Sequence, residues 1–323
     1  MTSASTRIRL SHPADILGMV PYLLSFYPHE SVVALLLKSG TIVLTIRANM
    51  PPPEEAGDVA ANIASLSEQH GAEQLVLLGY SVKAEARDVL ASVATKLESY
   101  ALKDVLFVNG QRWWSLICSS NCCPAEGQPY DPSSSPAAAE AVFAGLSVRV
   151  DRAALQAEVS GPPPEDFEDL RQLARQQSAK INRLDFEARC ELIRTLAESA
   201  VAQSGPVDDV TCAQLAVLVA EVSVRDVAWS LIAREQAEGH LRLWARVVSR
   251  TTAPLEAAPL CLLGFCAWVC GHGAMMNCCI ERVRILDPDY SMGHLLNKIS
   301  IFALSPNLWD ELGAEIGRPL TSR

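Results

Sequence analysis

Motifs that mark the common enzyme classes are missing from this chain of 323 residues. It contains neither the G-x-G-x-x-G pattern of dinucleotide-binding loops nor the G-x-x-x-x-G-K pattern, followed by Ser or Thr, of phosphate-binding loops. It also lacks the G-x-S-x-G turn of α/β-hydrolases and the H-E-x-x-H pair of zinc proteases. The standard sites of these classes are therefore excluded, and we expect no cofactor and no recognisable catalytic residue.

Clusters of basic residues are missing as well. Lys and Arg together number 27 against 37 Asp and Glu, which gives a formal net charge of -10 at pH 7. Nucleic-acid backbones and anionic membrane surfaces are bound by clustered Lys and Arg side chains. The composition therefore predicts neither nucleic acid nor membrane as a partner.

A long uninterrupted apolar run is also absent. The most apolar stretch covers residues 260–270, and its extension to residue 280 is broken by a Gly-His-Gly triplet and by Asn277. A membrane-spanning helix needs about 20 mostly apolar residues, so this stretch predicts a buried helix followed by a turn. The start of the chain has no apolar segment with a cleavage site of the secretory type. We therefore expect a cytoplasmic protein whose ten cysteines are mostly reduced thiols.

The first half of the chain alternates strand and helix signals. Residues 31–50 predict two strands joined by a tight turn at Ser39-Gly40, and DVLFVNG with RWWSLIC predicts a second hairpin through Asn109-Gly110. The continuous apolar run at residues 74–80 is typical of a strand with both faces covered. We therefore predict an α/β domain over residues 1–160, with a mixed sheet and flanking helices.

Two further features are predicted near the start of the chain. RIRLS, residues 7–11, has the composition of a short strand. The helix expected from Pro13 onward should be kinked or split at Pro21, because proline lacks the N–H group that a helix interior needs.

The second half has helical periodicity throughout. The second half begins after GPPP, residues 161–164. Its helical periodicity predicts an all-α domain over residues 165–323. Within it, one segment approximates the period of about 34 residues of a tetratricopeptide repeat. Leu263-Gly264 and Asp287-Pro288 fall where that repeat has its Leu-Gly pair and its proline. We find no second copy, so we predict one tetratricopeptide-like helical hairpin and no array.

Six segments follow one another along the chain: PADILGMVPYLLSFYPHESVV, RWWSLICSSNCCPAEG, SPAAAEAVFAGL, RDVAW, AAPLCLLGFCAWVCGHGA and LDPDYSMGHLL. Together they resemble the domain of unknown function 4192 family, which occurs in actinobacteria and their phages. The resemblance runs from about His12 to Trp309. It implies an N-terminal α/β part and a C-terminal helical part, and it implies no activity.

The chain departs from the pattern of that family at two places. Where the family tends to have Arg-x-Asp-Leu-Pro after the second hairpin strand, residues 47–51 read Arg-Ala-Asn-Met-Pro. Where the family often has Gly-Asp-Gly, residues 271–273 read Gly-His-Gly. Because both replacements remove a carboxylate, we expect no acid or metal-ligand role at either position.

The segment RWWSLICSSNCC contains a C-x3-C-C arrangement formed by Cys118, Cys122 and Cys123. A structural zinc needs four ligands, and adjacent residues of an extended chain point to opposite sides, so ligands would have to come from elsewhere. A disulfide from Cys118 is sterically feasible but is opposed by a reducing cytosol. We favour a packing role beside Trp113 and Trp114, and keep a metal site or a disulfide as alternatives.

Polar residues follow two buried strands of the predicted sheet. Gly79, Tyr80 and Ser81 end one strand, and Asn109 follows another. Ligands of open α/β sheets bind beyond the carboxyl ends of parallel strands, so these four residues form a candidate ligand-binding site. The alternative is that Gly79 eases a turn and Tyr80 caps the core.

A third candidate group lies on one predicted helix and consists of Arg225, Asp226 and Trp229. We expect Arg225 to pair with a carboxylate of the first domain and Trp229 to fill the seam between the domains. A binding site built on the Arg-Asp pair is the alternative.

The functional expectation is a non-catalytic interaction or regulatory module that binds a protein partner or self-associates. It follows from the missing catalytic motifs together with the repeat-like hairpin. The alternatives are a small-ligand binder or enzyme that uses the strand ends, and a thiol or zinc switch in the C-x3-C-C segment.

Overall fold

The computed structural model describes residues 8–10, 12–118, 124–203 and 205–316, with side chains described as far as residue 311. The chain divides into two compact units, Met1–Arg152 and Ala153–Arg323. Within the described residues, the first unit contains six strands with helices, and the second contains helices and no strand. The predicted order, a mixed α/β part followed by a helical part, is confirmed.

The first unit is built around one mixed sheet. Its elements are α1 (Pro13–Leu24), β1 (Ser31–Lys38), β2 (Thr41–Asn49), α2 (Ala56–His70), β3 (Gln74–Tyr80), α3 (Ala86–Lys96), β4 (Ala101–Val108), β5 (Arg112–Ser115), β6 (Gln128–Pro129) and α4 (Pro136–Phe143). The strand order is β2-β1-β3-β4-β5-β6. β3 and β4 are parallel, whereas the other four pairs are antiparallel.

Both predicted hairpins are confirmed. Ser39 and Gly40 connect β1 and β2 with φ values of 49° and 74°. Two successive positive φ values are typical of the type I′ turn, whose twist matches that of paired strands. In the turn from β4 to β5, Gly110 has a φ of 93°. The Asn109 side chain accepts hydrogen bonds from the backbone N–H groups of residues 111 and 112.

The main core of this unit lies between the sheet and helices α2 and α3. Alternate residues of the three central strands share one buried cluster with both helices: Val32, Ala34, Leu36, Ile63, Leu75, Leu77, Leu90, Val105 and Phe107. The intervening residues Leu35 and Leu78 are also buried, at 1% and 0% exposure. Both faces of the central strands are therefore covered, as their continuous apolar sequence predicted.

The second unit consists of helices. They are α5 (Arg152–Ala157), which begins at the boundary, and α6 (Phe167–Ile181), α7 (Phe186–Ala202), α8 (Asp209–Val219), α9 (Val222–Ser230), α10 (Ala237–Val248), α11 (Ala257–Val269), α12 (Gly273–Leu286), α13 (Ser291–Ile301) and α14 (Asn307–Ile316). Short 3-10 turns lie at Pro164–Asp166 and Arg234–Gln236.

Helix α11 forms the centre of the second unit. All of its residues are buried, and it packs against α8, α10, α12 and α13. A Cβ atom at Gly264 would lie 3.1 Å from Cys279 Cβ on α12 and 3.1 Å from Leu296 Cδ1 on α13. The glycine therefore allows three helices to meet closely. No helix in the described part of the chain is both long and apolar enough to cross a membrane.

Two expectations concern the start of the chain. Residues 8–10 form no strand, and residues 7 and 11 lie outside the described part. The sheet ends at β2 and β6, so no strand pairs with residues 8–10. Pro21 lies inside α1 without splitting it, and the kink expected there stays a prediction. Because Pro21 is in the last turn, it removes one helical hydrogen bond, and the helix continues to Leu24.

Candidate functional site

The strand ends that were predicted to bind a ligand lie side by side. Tyr80 at the end of β3 is paired with Val108 at the end of β4, because the two strands are parallel neighbours. The backbone N–H of Ser81 donates to the Val108 carbonyl at 3.0 Å. Tyr80, Ser81 and Asn109 therefore occupy one edge of the sheet.

A carboxylate that sequence reasoning missed occupies this edge. Glu30 precedes β1, and β1 is antiparallel to β3, so the start of β1 lies beside the end of β3. The Glu30 carboxylate accepts hydrogen bonds from the Ser81 hydroxyl at 2.9 Å and 3.0 Å and from the Val82 backbone N–H at 3.3 Å. It also pairs with Lys83 Nζ at 3.5 Å. The donors that a small polar ligand would use are thus engaged by the protein itself.

Gly79 and Asn109 have structural contacts of their own. A Cβ atom at Gly79 would lie 2.9 Å from Leu90 Cδ2 on α3, so this glycine faces the helix layer. The Asn109 Oδ1 atom closes the β4–β5 turn through bonds of 3.1 Å and 2.9 Å to backbone N–H groups. The geometry of the strand ends therefore favours the structural reading of these residues.

Tyr80 is a buried phenol on the opposite face of the sheet from Gly79, because successive strand residues alternate in direction. Its side chain is 3% exposed and packs edge-on against Tyr130, with 6.4 Å between ring centroids. Its hydroxyl has no hydrogen-bond partner among the described residues. Burial, and secondarily Tyr130, raises the pKa of Tyr80 well above its usual value. The phenol therefore stays neutral and does not act as a base at neutral pH.

The side chain of Asn49, which stands where a carboxylate was expected from the family pattern, contributes to a local network. Its Oδ1 atom accepts a hydrogen bond from Arg47 Nη1 at 2.5 Å. Arg47 Nε donates to the Ser31 hydroxyl at 3.0 Å, and that hydroxyl donates to the His29 carbonyl at 2.5 Å. The amide retains an acceptor for Arg47 without the negative charge.

Arg225 is held by residues of the helical unit. Its side chain is 6% exposed. Nε and Nη2 donate to Asp226 Oδ1 at 3.0 Å and 2.7 Å, and Nη1 donates to the Tyr290 hydroxyl at 3.0 Å. These bonds account for the Arg-Asp pair within one unit, and its predicted role between the domains stays a prediction.

Trp229 belongs to an aromatic cluster of the same unit. Its ring stacks on Trp309, with 5.8 Å between centroids and 9° between planes, and it meets Phe265 edge-on at 5.4 Å. The Trp309 indole N–H donates to the Ile232 carbonyl at 2.7 Å. The cluster therefore ties α9, α11 and α14 together.

The C-x3-C-C segment is described only in part. Cys118 is half-buried, whereas Cys122 and Cys123 lie outside the described residues, so the zinc and disulfide readings stay predictions. Trp114 packs against Phe107 with 6.2 Å between centroids, and its indole N–H donates to the Ala125 carbonyl at 3.1 Å. Among the described residues, no group of three His, Cys, Asp or Glu side chains could hold a metal ion.

Four cysteines of the helical unit are completely buried: Cys212, Cys261, Cys266 and Cys279. Burial raises the pKa of Cys212 and Cys261 to about 12, and it raises the pKa of Cys266 and Cys279 well above the usual value. The thiolate is the nucleophilic form of cysteine. These thiols are therefore unreactive at neutral pH and serve as small apolar groups.

The helical unit also contains a groove that sequence reasoning missed. Its volume is about 570 Å³, and it is lined by α6, α7, α8 and the loop before α11. One face of α6 lines the groove, because residues three and four apart share a face of a helix. The residues on this face are Arg171, Ala174, Arg175 and Ser178. Arg189 of α7 also lines it.

The lining of this groove is net positive in a chain of net charge -10. Arg189 Nη1 pairs with Glu221 at 2.7 Å. Arg175 Nη1 lies 3.5 Å from Glu168, but both side chains are more than two-thirds exposed, so solvent weakens this pair. The guanidinium carbon of Arg171 lies 5.7 Å from the ring centroid of Phe167.

These features define the class of the protein as an α/β unit with a six-stranded mixed sheet, followed by a helical unit with buried thiols and a basic groove. A family model described as "Domain of unknown function (DUF4192)" matches residues 13–307. The chain belongs to this family, whose description assigns no activity. Searches among curated proteins and among solved structures each found no match.

Proposed function

We propose that this protein is a non-catalytic interaction module that binds a protein partner through helices α12 and α13. The observation that carries this proposal is a series of four exposed apolar side chains along α12 and α13, of which Ile301 and Phe302 are adjacent at the end of α13. Ile285 is 75% exposed, Leu295 38%, Ile301 63% and Phe302 56%. Single exposed apolar residues are ordinary on protein surfaces, whereas concentrations of them mark interaction sites.

The packing beneath this surface supports the same function. The buried helix α11 and the two helices that cover it meet at Gly264. With Leu263 before Gly264 and Pro288 after α12, the proposed tetratricopeptide-like hairpin would consist of α11 and α12, and α13 would take the place of the next repeat's first helix. Helical repeats of this kind bind partners through surfaces built from successive helices.

The strand-end alternative has less support because the side chains of Ser81 and Asn109 are already bonded, and the unpaired hydroxyl of Tyr80 is buried. Glu30 engages the Ser81 hydroxyl, and Asn109 engages its own turn. A cytoplasmic location belongs to the same proposal, since fully buried reduced thiols such as Cys266 suit a reducing compartment. The partner is another protein or a second copy of this chain.

A photo-crosslinking amino acid tests this function. It is placed at position 301 in the full chain, and in a control at position 222, where Val222 is also apolar and 53% exposed. We expect one specific adduct in native cells from position 301 and none from position 222. Analytical ultracentrifugation of the purified chain then shows whether the adduct reflects self-association.

Charge substitutions complete the test. Ile285→Glu and Ile301→Glu should abolish the adduct formed by a crosslinker at position 295, because a carboxylate is costly to bury in an apolar interface. Val222→Glu should leave it unchanged. No adduct at position 301, or equal adducts at positions 301 and 222, would contradict the proposed function.

A further inference from the structure

We propose that the groove lined by α6, α7 and α8 is a binding site for a small organic anion that carries an apolar portion. Small-molecule sites have volumes of roughly 300–1,000 Å³, and this groove measures about 570 Å³. It is lined by residues other than those of the α12–α13 surface. The inference therefore does not depend on the proposed function.

The charge of the ligand follows from the arginines. Arg171 and Arg175 are four residues apart on α6, so their guanidinium groups lie on one helix face and repel each other. Arg171 makes no ion pair within the described part of the chain, and the ion pair of Arg175 is largely exposed. A bound anion would offset this repulsion. The planar guanidinium fork matches carboxylate and phosphate groups in particular.

Thr252 adds a polar group to the lining of the groove. It lines the groove and is only 7% exposed, and its hydroxyl makes no hydrogen bond within the described part of the chain. The hydroxyl of the adjacent Thr251, by contrast, donates to the Val247 carbonyl at 2.7 Å. The Thr252 hydroxyl is not among the fully buried unpaired atoms, so it is open to the groove and can donate to an oxygen of the ligand.

The apolar portion of the ligand follows from the remaining lining. Val217, Pro254 and Leu255 present carbon surface to the groove. An inorganic anion would leave this surface uncovered, and a neutral apolar molecule would leave the net positive charge of the lining without a counter-charge. Because Arg189 is already paired with Glu221, the charged group of the ligand lies toward Arg171 and Arg175. An alkyl carboxylate or an alkyl phosphate has the required chemistry.

Isothermal titration calorimetry of the full chain tests this site with four probes: hexyl phosphate, hexanoate, inorganic phosphate and hexanol. We expect hexyl phosphate or hexanoate to bind at least about tenfold more tightly than inorganic phosphate and hexanol, because both parts of the site are then filled. The comparison of the two anions identifies the preferred charged group. Failure of both anions to bind more tightly than the two partial probes would overturn the inference.

Substitutions locate the binding. The double variant Arg171→Glu with Arg175→Glu should weaken binding of the better anion by at least about tenfold. Thr252→Val should weaken it by about threefold. The control is Arg194→Glu, because Arg194 is 46% exposed on α7 and does not line the groove.

Circular dichroism shows whether each variant is folded. If the double variant is unfolded, the single variant Arg175→Gln is used in its place to test whether the anion binds in the groove. Arg175 is exposed, so this exchange leaves the packing intact. Equal loss of binding in the Arg194→Glu control would overturn the assignment of the ligand to this groove.

Discussion

Both carboxylate oxygens of Glu30 accept hydrogen bonds from the Ser81 hydroxyl, at 2.9 Å and 3.0 Å, although the two residues are 51 positions apart in the chain. This contact joins the turn before β1 to the end of β3. Glu30 has a φ of 42°, in the left-handed region, which costs a residue with a Cβ atom about 1–2 kcal/mol. The carboxylate contacts therefore hold the backbone in a conformation that it would otherwise avoid.

Replacement of Glu30 separates these two effects. Glu30→Ala should lower the free energy of unfolding by about 1–2 kcal/mol, because the carboxylate contacts are lost and the strain remains. Glu30→Gly loses the same contacts but relieves the strain, so it should be about 1 kcal/mol more stable than Glu30→Ala. Urea unfolding of both variants measures the difference. Equal stability of the two variants would contradict the role assigned to the backbone conformation.

The hairpins could be predicted from the sequence because their causes are local. Ser39-Gly40 and Asn109-Gly110 are turn signals between apolar runs, and the strands on either side pair with each other. The contact of Glu30 with Ser81 could not be predicted in this way. It depends on the antiparallel pairing of β1 with β3, whose connection passes through β2 and α2.

The basic groove was missed for a related reason. Arg171 and Arg175 have the spacing of an ordinary solvated helix face, and a sequence pattern does not show that α7 and α8 place Arg189 and Val217 around the same space. The buried run of α11, by contrast, was recognised as a helix core, because its apolar composition alone determines its burial. Properties of single elements were predictable, and assemblies of distant elements were not.

Gly79 tests whether the strand end is packed against α3 or is open to a ligand. In the structure, Gly79→Ala would place a Cβ atom 2.9 Å from Leu90 Cδ2, so it should destabilise the chain by about 1–3 kcal/mol through overpacking. The matched control is Gly57→Ala on α2, where the nearest atoms belong to Lys96 at 3.8 Å. The control should gain about 0.5–1 kcal/mol from helix propensity. A neutral Gly79→Ala variant in thermal or urea unfolding would contradict the packing role.

The carboxylate of Asp209 should make the stability of the helical unit depend on pH. It accepts hydrogen bonds from Arg250 at 2.9 Å and 2.7 Å and from Arg246 at 2.9 Å. The hydrogen bonds from Arg250 are the main cause of the lowered pKa of Asp209. Because the pKa of this carboxylate is lower in the folded state than in the unfolded state, its ionised form stabilises the fold at pH values above the unfolded-state pKa of about 3.9. This stabilisation is lost as pH falls through the folded-state pKa.

Asp209→Asn measures that contribution. The variant should be less stable than the unsubstituted chain by about 1–2 kcal/mol at pH 7, a range kept modest because the Asp209 side chain is 37% exposed to solvent. The difference should begin to shrink as pH falls below the unfolded-state pKa of about 3.9, and it should disappear only below the lower pKa of Asp209 in the folded chain. Urea unfolding at pH 7 and pH 3 gives both values. Asp169→Asn, an exposed position on α6, is the control and should show little change at either pH.

The buried thiols predict a pattern of chemical reactivity. In the folded chain at pH 8, Cys212, Cys261, Cys266 and Cys279 should not react with iodoacetamide, because each is fully buried and its pKa is raised. All four should react after denaturation in urea. Peptide mass spectrometry identifies the modified residues. Rapid labelling of Cys266 in the folded chain would show that α11 is more accessible than its packing indicates.

A substitution at Arg225 tests whether its guanidinium group stabilises the helical unit alone or also holds the two domains together. Its N–H groups are bonded to Asp226 and to the hydroxyl of Tyr290. Arg225→Lys keeps the charge but not the planar fork that donates in two directions, so the helical unit should lose about 2–3 kcal/mol of stability.

Hydrogen–deuterium exchange shows where that stability is lost in the Arg225→Lys variant. If the bonds act locally, exchange should increase in α9 and at the start of α13, near Asp226 and Tyr290, while Met1–Arg152 keeps its protection. The matched control is Arg194→Lys, because Arg194 is 46% exposed and pairs only loosely with Glu191 at 3.8 Å. Increased exchange in both units would contradict a local role, and it would instead support the expectation that this arginine holds the domains together.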